Sequence, residues 1–132
     1  MGNLSKNFSS HEFSCKCRCG FDKVSPILID TLQTIRDFWG KPININSGCR
    51  CQKHNDSIEN AAPNSYHTKG RAVDIDLPSE QERDAFKKLV VKLYEQGKIP
   101  YLSACQWESY KNGCLHVDVE TQPTKRLREF KK

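Results

Sequence analysis

The 132-residue sequence has no long apolar run. A membrane-spanning helix needs about 18 or more consecutive apolar residues, so we expect no membrane insertion. The first seven residues, MGNLSKN, also lack the apolar stretch of a secretory signal peptide. From these absences we expect the protein, as written, to be cytoplasmic and to act elsewhere only after release or export.

Repeats, low-complexity tracts and an internal linker are absent as well. We therefore expect a single domain over residues 1–132. Its formal net charge is +5, and much of the excess lies in a basic C-terminal tail at about residues 121–132, where five Lys and Arg residues face one Glu. A basic tail could draw the protein to anionic cell-wall polymers or to nucleic acid, but we favour a solvated terminus. We expect a monomer with no nucleic-acid partner.

Two helices and several short strands are indicated by the sequence pattern. Ser25 followed by Pro26 is typical of a helix start, and Gly40 ends the apolar periodicity that follows. A second helix is predicted from Ser79, which forms a capping-box pattern with Glu82, to a glycine at position 97. A short strand at Ile43 and Ile45, a strand over 71–77 and a hairpin over 106–119 with a turn at 111–113 are also predicted. Together these elements predict an α+β fold with a small, mostly antiparallel sheet flanked by helices.

Three metal-ligand residue types stand out at two places in the chain. His67 and Asp74 occur within the segment SYHTKGRAVD, and His116 occurs much later within LHVDV. Two imidazoles and one carboxylate can bind a tetrahedral zinc ion and leave its fourth position open, as in hydrolytic zinc sites. Gly70 lies between the first two candidates, where a residue without Cβ permits a tight bend.

Alternation of side chains places these candidates on strand faces. Asp74 alternates with apolar residues in one segment, and His116 and Asp118 do so in the other. The polar residues of each segment would then share one face while their apolar neighbours pack on a core. Those apolar neighbours are Val73, Ile75, Leu77, Leu115, Val117 and Val119. The pattern predicts two strands that hold a metal between them. Asp76, two residues after Asp74 on the same face, could either support that site or be a solvated carboxylate.

The motif S-x-H-x-x-G-x-A-x-D over residues 65–74, with the later H-x-D at 116–118, resembles the zinc D-alanyl-D-alanine peptidases. The resemblance covers roughly residues 4 to 119 and is greatest to the small carboxypeptidase-type branch. Upstream segments match that branch in the same order; they are Asn7-Phe8, Glu12-Phe13, Gly40-Lys41-Pro42-Ile43, Ser47-Gly48-Cys49-Arg50 and His54-Asn55. The likeness implies the fold shared by these peptidases and the hedgehog signalling domain.

This resemblance also implies a chemistry. By that likeness His67, Asp74 and His116 are ligands of one catalytic Zn2+, Arg50 holds a substrate carboxylate or the developing oxyanion, and Ser65 lines the substrate side. The implied activity is hydrolysis of bonds to D-amino acids in peptidoglycan stem peptides. A carboxypeptidase and an endopeptidase of the endolysin type both fit, and either would act at the cell wall.

The sequence departs from the family at the general base. Relatives carry an acid or a histidine two or three residues before the last ligand, where this chain has Cys114 and Gly113. Asp118 is the nearest replacement, and Glu108 is the second. A base must come within about 2.6 to 3.2 Å of the attacking water, directly or through one water. Alternatively, Asp118 orients a ligand histidine from outside the ligand set.

Two other functions are consistent with parts of the pattern. Without a conventional base, the chain could be a non-catalytic, zinc-stabilised module that binds cell wall or protein, as hedgehog domains are. Cys114, two residues before His116, could instead serve as a nucleophile. That thiol mechanism would leave the whole motif from Ser65 to Asp74 without a role, so we disfavour it.

Seven cysteines require a separate explanation. They are Cys15, Cys17, Cys19, Cys49, Cys51, Cys105 and Cys114. Cys15, Cys17 and Cys19 form one group in the sequence, and Cys49 and Cys51 form a second. Three interpretations stay open: a second, structural metal that bridges these two groups, disulfides, or reduced buried thiols that pack as small apolar residues. His11 and His54 lack a partner at ligand spacing in the sequence, and we expect them to be surface or hydrogen-bonded residues.

Overall fold

The computed structural model describes residues 4–15, 24–48, 66–77, 79–109 and 114–124. Two α-helices and four strands lie within these ranges, together with two short 3-10 helices at Ser10–Phe13 and Tyr66–Lys69. The helices are α1 (Pro26–Trp39) and α2 (Glu80–Glu95), and the strands are β1 (Ile45–Ser47), β2 (Ala72–Asp76), β3 (Leu102–Ser109) and β4 (Cys114–Val119). The predicted α+β class is confirmed. No helix among the described residues is long and apolar enough to cross a membrane.

Helix α1 begins and ends where its sequence signals predict. The Ser25 hydroxyl accepts a hydrogen bond from the Ile27 amide at 3.2 Å, and Pro26 occupies the first helical position. Gly40 then adopts a left-handed conformation with φ of 75° and donates to the Arg36 carbonyl. These caps satisfy backbone groups that a helix end would otherwise leave without intrahelical partners.

Helix α2 also begins at its predicted N-cap and ends shortly before its predicted glycine. The Ser79 hydroxyl accepts from the Glu82 amide at 3.4 Å, so Ser79 is the predicted N-cap. The helix ends at Glu95, and Gly97 follows with φ of 75°. Both helices contribute apolar residues to one core. These include Leu28, Leu32 and Ile35 of α1 and Phe86, Val90 and Leu93 of α2.

The four strands form one antiparallel sheet in the order β1-β2-β4-β3. One face of this sheet packs on the helices and completes the core. Its buried members are Val73, Ile75, Leu102, Cys105, Leu115, Val117 and Val119. Ile43, which alternation assigned to the first strand, lies before β1 and is buried.

The other face of the sheet holds the polar residues of β2 and β4. These two strands pair so that Asp74 lies opposite His116 and Ala72 lies opposite Asp118. Residues directly opposite in an antiparallel pair have Cβ atoms about 4.5 to 5.5 Å apart. The strand pairing alone therefore brings two residues that are 42 positions apart in the chain into contact distance.

Candidate metal centre

His67 reaches the site from a 3-10 turn that a glycine closes. The turn spans Tyr66–Lys69, and the Gly70 amide donates to the His67 carbonyl at 3.3 Å. Gly70 has φ of 68°, a left-handed conformation that costs other residues roughly 1 to 2 kcal/mol. Its carbonyl accepts from the Ser25 amide at 2.8 Å, which ties the turn to the start of α1. This geometry explains why the motif has a glycine three residues after its histidine.

Three ligand-type side chains meet on the polar face of the sheet. His67 Nε2 lies 3.3 Å from Asp74 Oδ1, and His116 Nδ1 lies 3.0 Å from the same oxygen. One candidate ligand atom from each residue lies within 4.8 Å of the other two. His67 is 2% exposed and Asp74 5%, so these donors are largely removed from solvent. Two imidazole nitrogens and a carboxylate oxygen are a donor set that suits zinc, and also manganese, cobalt or nickel.

The cluster shifts the acidity of two of its members before any metal binds. Burial alone would raise the pKa of Asp74, but hydrogen bonds and charges from His116 and His67 outweigh it and hold the pKa well below its ordinary value. Burial would lower the pKa of His116, whereas hydrogen bonds to Asp118 and Asp74 raise it to about 10. Without a metal, Asp74 is therefore ionised and His116 is an imidazolium at neutral pH.

Each imidazole is also held through its second ring nitrogen. His67 Nδ1 lies 2.6 Å from the Gly48 carbonyl oxygen, and because a carbonyl only accepts, Nδ1 must carry the hydrogen. His116 Nε2 donates to Asp118 Oδ2 at 2.8 Å. Both contacts leave the nitrogen that faces Asp74 available as a ligand atom. Carbonyl or carboxylate acceptors behind ligand histidines are the usual arrangement at protein metal sites.

Asp118 has both carboxylate oxygens engaged. Oδ2 accepts from His116, and Oδ1 accepts from the Ser103 hydroxyl. Asp118 is 3% exposed. These contacts are those expected of the orienting alternative for Asp118, because a base needs an oxygen that can reach water.

Sequence reasoning missed Ser103 and the Gly48 carbonyl. Nothing in the pattern of side chains could have identified a backbone carbonyl. A weak signal for Ser103 exists, since Leu102 and Cys105 are apolar at a spacing of three where a regular strand alternates by two. Without the pairing of β3 and β4, that spacing is ambiguous.

Several predicted residues lie outside the described parts of the chain. They are Ser65, Arg50, His54, Cys17, Cys19, Cys49, Cys51 and residues 125–132 of the predicted tail. Glu108 lies in β3, and only its backbone is described. Asp76 ends β2 and is exposed. Cys15 and Cys105 are buried, and Cys105 belongs to the hydrophobic core, as the thiol-packing interpretation expects.

A small α+β domain with a buried cluster of two histidines and an aspartate has the composition of a metal-binding hydrolase domain. The sequence profile of the family described as Peptidase M15 matches residues 6–103. The chain therefore belongs to this family of zinc D-Ala-D-Ala peptidases. The matched region includes His67 and Asp74 and ends before His116, which joins them through the pairing of β2 and β4. A search of curated proteins found no match.

Gly48→Ala should weaken metal binding although Gly48 supplies no side chain. A Cβ at this position would lie 2.8 Å from Phe13 Cα and 3.0 Å from the Phe13 carbonyl oxygen, closer than real Cβ contacts. The backbone must therefore shift, and the carbonyl that holds His67 moves with it. We expect zinc affinity to fall about tenfold, as for other losses of a contact behind a ligand. Competition with a chromophoric chelator measures this.

Gly97→Ala is the matched control for that substitution. Gly97 has φ of 75° and no heavy atom within 4 Å of an added Cβ, so its replacement strains a helix end without crowding a neighbour. Its zinc affinity should equal that of the unsubstituted protein. Equal affinities for the Gly48 and Gly97 variants would show that the carbonyl contact does not hold His67 for the metal.

Proposed function

We propose that this protein is a zinc peptidase that hydrolyses D-amino-acid-containing bonds in peptidoglycan stem peptides. The observation that carries the proposal is the meeting of His67, Asp74 and His116, whose ligand atoms lie within 4.8 Å of one another. Family membership supports peptide hydrolysis. The motif resemblance adds D-alanine as the residue that the site recognises.

His67 Nε2, Asp74 Oδ1 and His116 Nδ1 are the atoms that would bind the ion. A zinc ion bound there would act as a Lewis acid toward the scissile carbonyl and would make water a better nucleophile at neutral pH. Three protein ligands leave a fourth position for water or substrate. The Gly48 carbonyl and Asp118 keep the two imidazole rings in the ligand orientation.

We assign the general base to Glu108 and an orienting role to Asp118. Both Asp118 oxygens accept hydrogen bonds in a buried position, so this carboxylate is poorly suited to take a proton from water. Glu108 follows Gln106, whose backbone pairs with His116, by two residues in β3. In the hydrolysis, the water oxygen bonds to the carbonyl carbon while Glu108 accepts a proton from that water. The carbon–nitrogen bond then breaks as Glu108 returns the proton to the leaving amine.

Arg50 and Ser65 complete the proposed substrate site through the resemblance of their motifs. Arg50 would donate a bidentate pair of hydrogen bonds to the terminal carboxylate of D-alanine or to the oxyanion that forms during attack. Ser65 precedes His67 by two residues and would line the substrate side. We further propose that the protein acts as a monomer and as one domain over residues 1–132, at the cell wall after release or export.

The test is mass spectrometry of purified stem peptides and crosslinked dimers after incubation with zinc-loaded protein. We expect loss of D-alanine from a carboxypeptidase, or conversion of dimers to monomers from an endopeptidase. A chelated sample is the control, and it should give neither product. If folded, zinc-bound protein gives no product, the non-catalytic binding module replaces the peptidase. Cleavage that survives chelation would instead favour the thiol mechanism at Cys114.

A further inference from the structure

Strand β3 contains a β-bulge directly opposite Asp118. Leu102 pairs with Val119, but Ala104, two residues further along β3, pairs with Asp118, only one residue back along β4. Ser103 is therefore an extra residue in β3. At such a bulge, two residues of one strand oppose a single residue of its partner. Leu102 and Cys105 can consequently both face the core, because Ser103 and Ala104 together occupy the interval between them.

The bulge brings the Ser103 hydroxyl to Asp118. Ser103 Oγ donates to Asp118 Oδ1, and the other oxygen of this carboxylate accepts from His116 Nε2 at 2.8 Å. Ser103 is 4% exposed, so water cannot readily replace its hydroxyl. Hydrogen bonds to an ionised acceptor are stronger than neutral ones, and burial increases their strength.

Small side chains flank Asp118 on the two neighbouring strands. Ala72 of β2 and Ala104 of β3 lie opposite Asp118 on its two sides, and both are buried. The hydrogen bond from the Ser103 hydroxyl limits rotation of the Asp118 carboxylate, and the hydrogen bond between Asp118 and His116 in turn limits rotation of the imidazole ring.

We propose that Ser103 is a positioning residue for the metal ligand His116, acting through Asp118, and that the bulge in β3 places it. The inference rests on the proposed function insofar as His116 binds a metal. It adds a residue from β3 to a site whose ligands come from the 3-10 turn, β2 and β4. Ser103 acts through Asp118, and its effect is the orientation of His116 Nδ1 toward Asp74 Oδ1, 3.0 Å away.

Zinc affinity of Ser103 variants tests the proposal. Ser103→Ala should lower the affinity for Zn2+ about tenfold, at the lower end of the range for groups behind metal ligands. Ser103→Thr and Ser103→Val are nearly equal in shape and differ in the hydroxyl. The threonine variant should keep its zinc affinity within about threefold of that of the unsubstituted protein. The valine variant should lose about as much zinc affinity as the alanine variant. If alanine prevents folding, the threonine and valine pair decides the question.

A spectroscopic signature separates positioning from simple stability. The visible absorption bands of the Co2+-loaded protein depend on ligand geometry, and they should shift in the alanine and valine variants but not in the threonine variant. Ser79→Ala is the stability control, because it removes the N-cap hydrogen bond of α2, a helix that carries none of the three candidate ligands. It should lower the melting temperature and leave the cobalt spectrum and zinc affinity unchanged.

A double-mutant cycle tests whether Ser103 acts through Asp118. In an Asp118→Ala background, Ser103→Ala should change zinc affinity by less than about twofold, since the connecting acceptor is absent. An undiminished tenfold effect there would overturn the proposed route. Unchanged affinity and an unchanged cobalt spectrum in folded Ser103→Val would overturn the proposal while the peptidase stands. If the unsubstituted protein itself binds no Zn2+, the proposed function fails, and this inference fails with it.

Discussion

Asp74→Asn is expected to abolish stoichiometric zinc binding and to reduce peptide hydrolysis about 1,000-fold or more. Asp74 Oδ1 is the atom that both imidazoles face, at 3.3 Å and 3.0 Å. Asparagine keeps the size of the side chain but loses the charge that attracts a divalent cation. Metal catalysis supplies several kcal/mol of transition-state stabilisation, and each 1.36 kcal/mol corresponds to about tenfold in rate.

Asp76→Asn is the matched control for this substitution. Asp76 lies two residues along β2, on the same sheet face, and it is exposed. The same chemical change there should leave both zinc content and turnover within about twofold, because Asp76 is exposed and is not one of the three candidate ligands. Zinc content is measured by elemental analysis after gel filtration, and turnover by mass spectrometry of stem peptides. A zinc-bound, active Asp74→Asn variant would disprove the assigned ligand set.

The sequence allowed the local parts of this fold to be predicted, because their signals are local. Ser25 and Gly40 cap α1, and Ser79 caps α2, through contacts within a few residues. The alternation around Asp74 and His116 predicted two strands with one polar face, and β2 and β4 have that face. Their pairing in the sheet is what turns two separated motifs into one cluster.

What the sequence did not allow us to predict depends on contacts between distant segments. The bulge at Ser103 interrupts the alternation of β3, so the pattern indicated only the later part of this strand, from Gln106. The Gly48 carbonyl contacts His67 through a backbone atom that every residue type possesses. Its glycine is required by a close approach to Phe13, which only the folded chain reveals.

The proposed roles of Asp118 in β4 and Glu108 in β3 illustrate the same limit. Sequence spacing placed Asp118 beside His116 and left base and orienter both open. Burial and the Ser103 contact favour the orienting role, and neither can be read from spacing. The position of Asp118 beside His116 is thus encoded by local sequence spacing, whereas the access of its carboxylate to water is set by the packing of the sheet.

Zinc affinity should also rise about tenfold per pH unit between about pH 6.5 and 8.5, with release of about one proton per ion at His116. The pKa of metal-free His116 is raised to about 10, so its Nδ1 carries a proton throughout this range. A metal must displace that proton in order to bind this nitrogen. Calorimetry in buffers of different ionisation enthalpy counts the protons released, and chelator competition at each pH gives the affinity.

Asp118→Asn should flatten this pH dependence. Burial lowers the pKa of His116, and the hydrogen bond to Asp118 is the first of the contacts that raise it. An amide accepts that hydrogen bond without a negative charge, so His116 should lose its proton at lower pH and fewer protons should be released at pH 8. A constant affinity across the range in the unsubstituted protein would mean that metal-free His116 is neutral.

The raised pKa of His116 also makes the folding stability of the metal-free protein depend on pH. Because the folded-state pKa of His116 is raised from 6.5 to about 10, the stabilisation by its two carboxylate partners is fully present below about pH 6.5. It is lost progressively as the pH rises through about 10. Zinc binding removes this dependence, since the ion displaces the proton from Nδ1 of the folded protein. Thermal unfolding from pH 6.5 to 10 should therefore give metal-free and zinc-loaded melting temperatures that diverge as the pH increases.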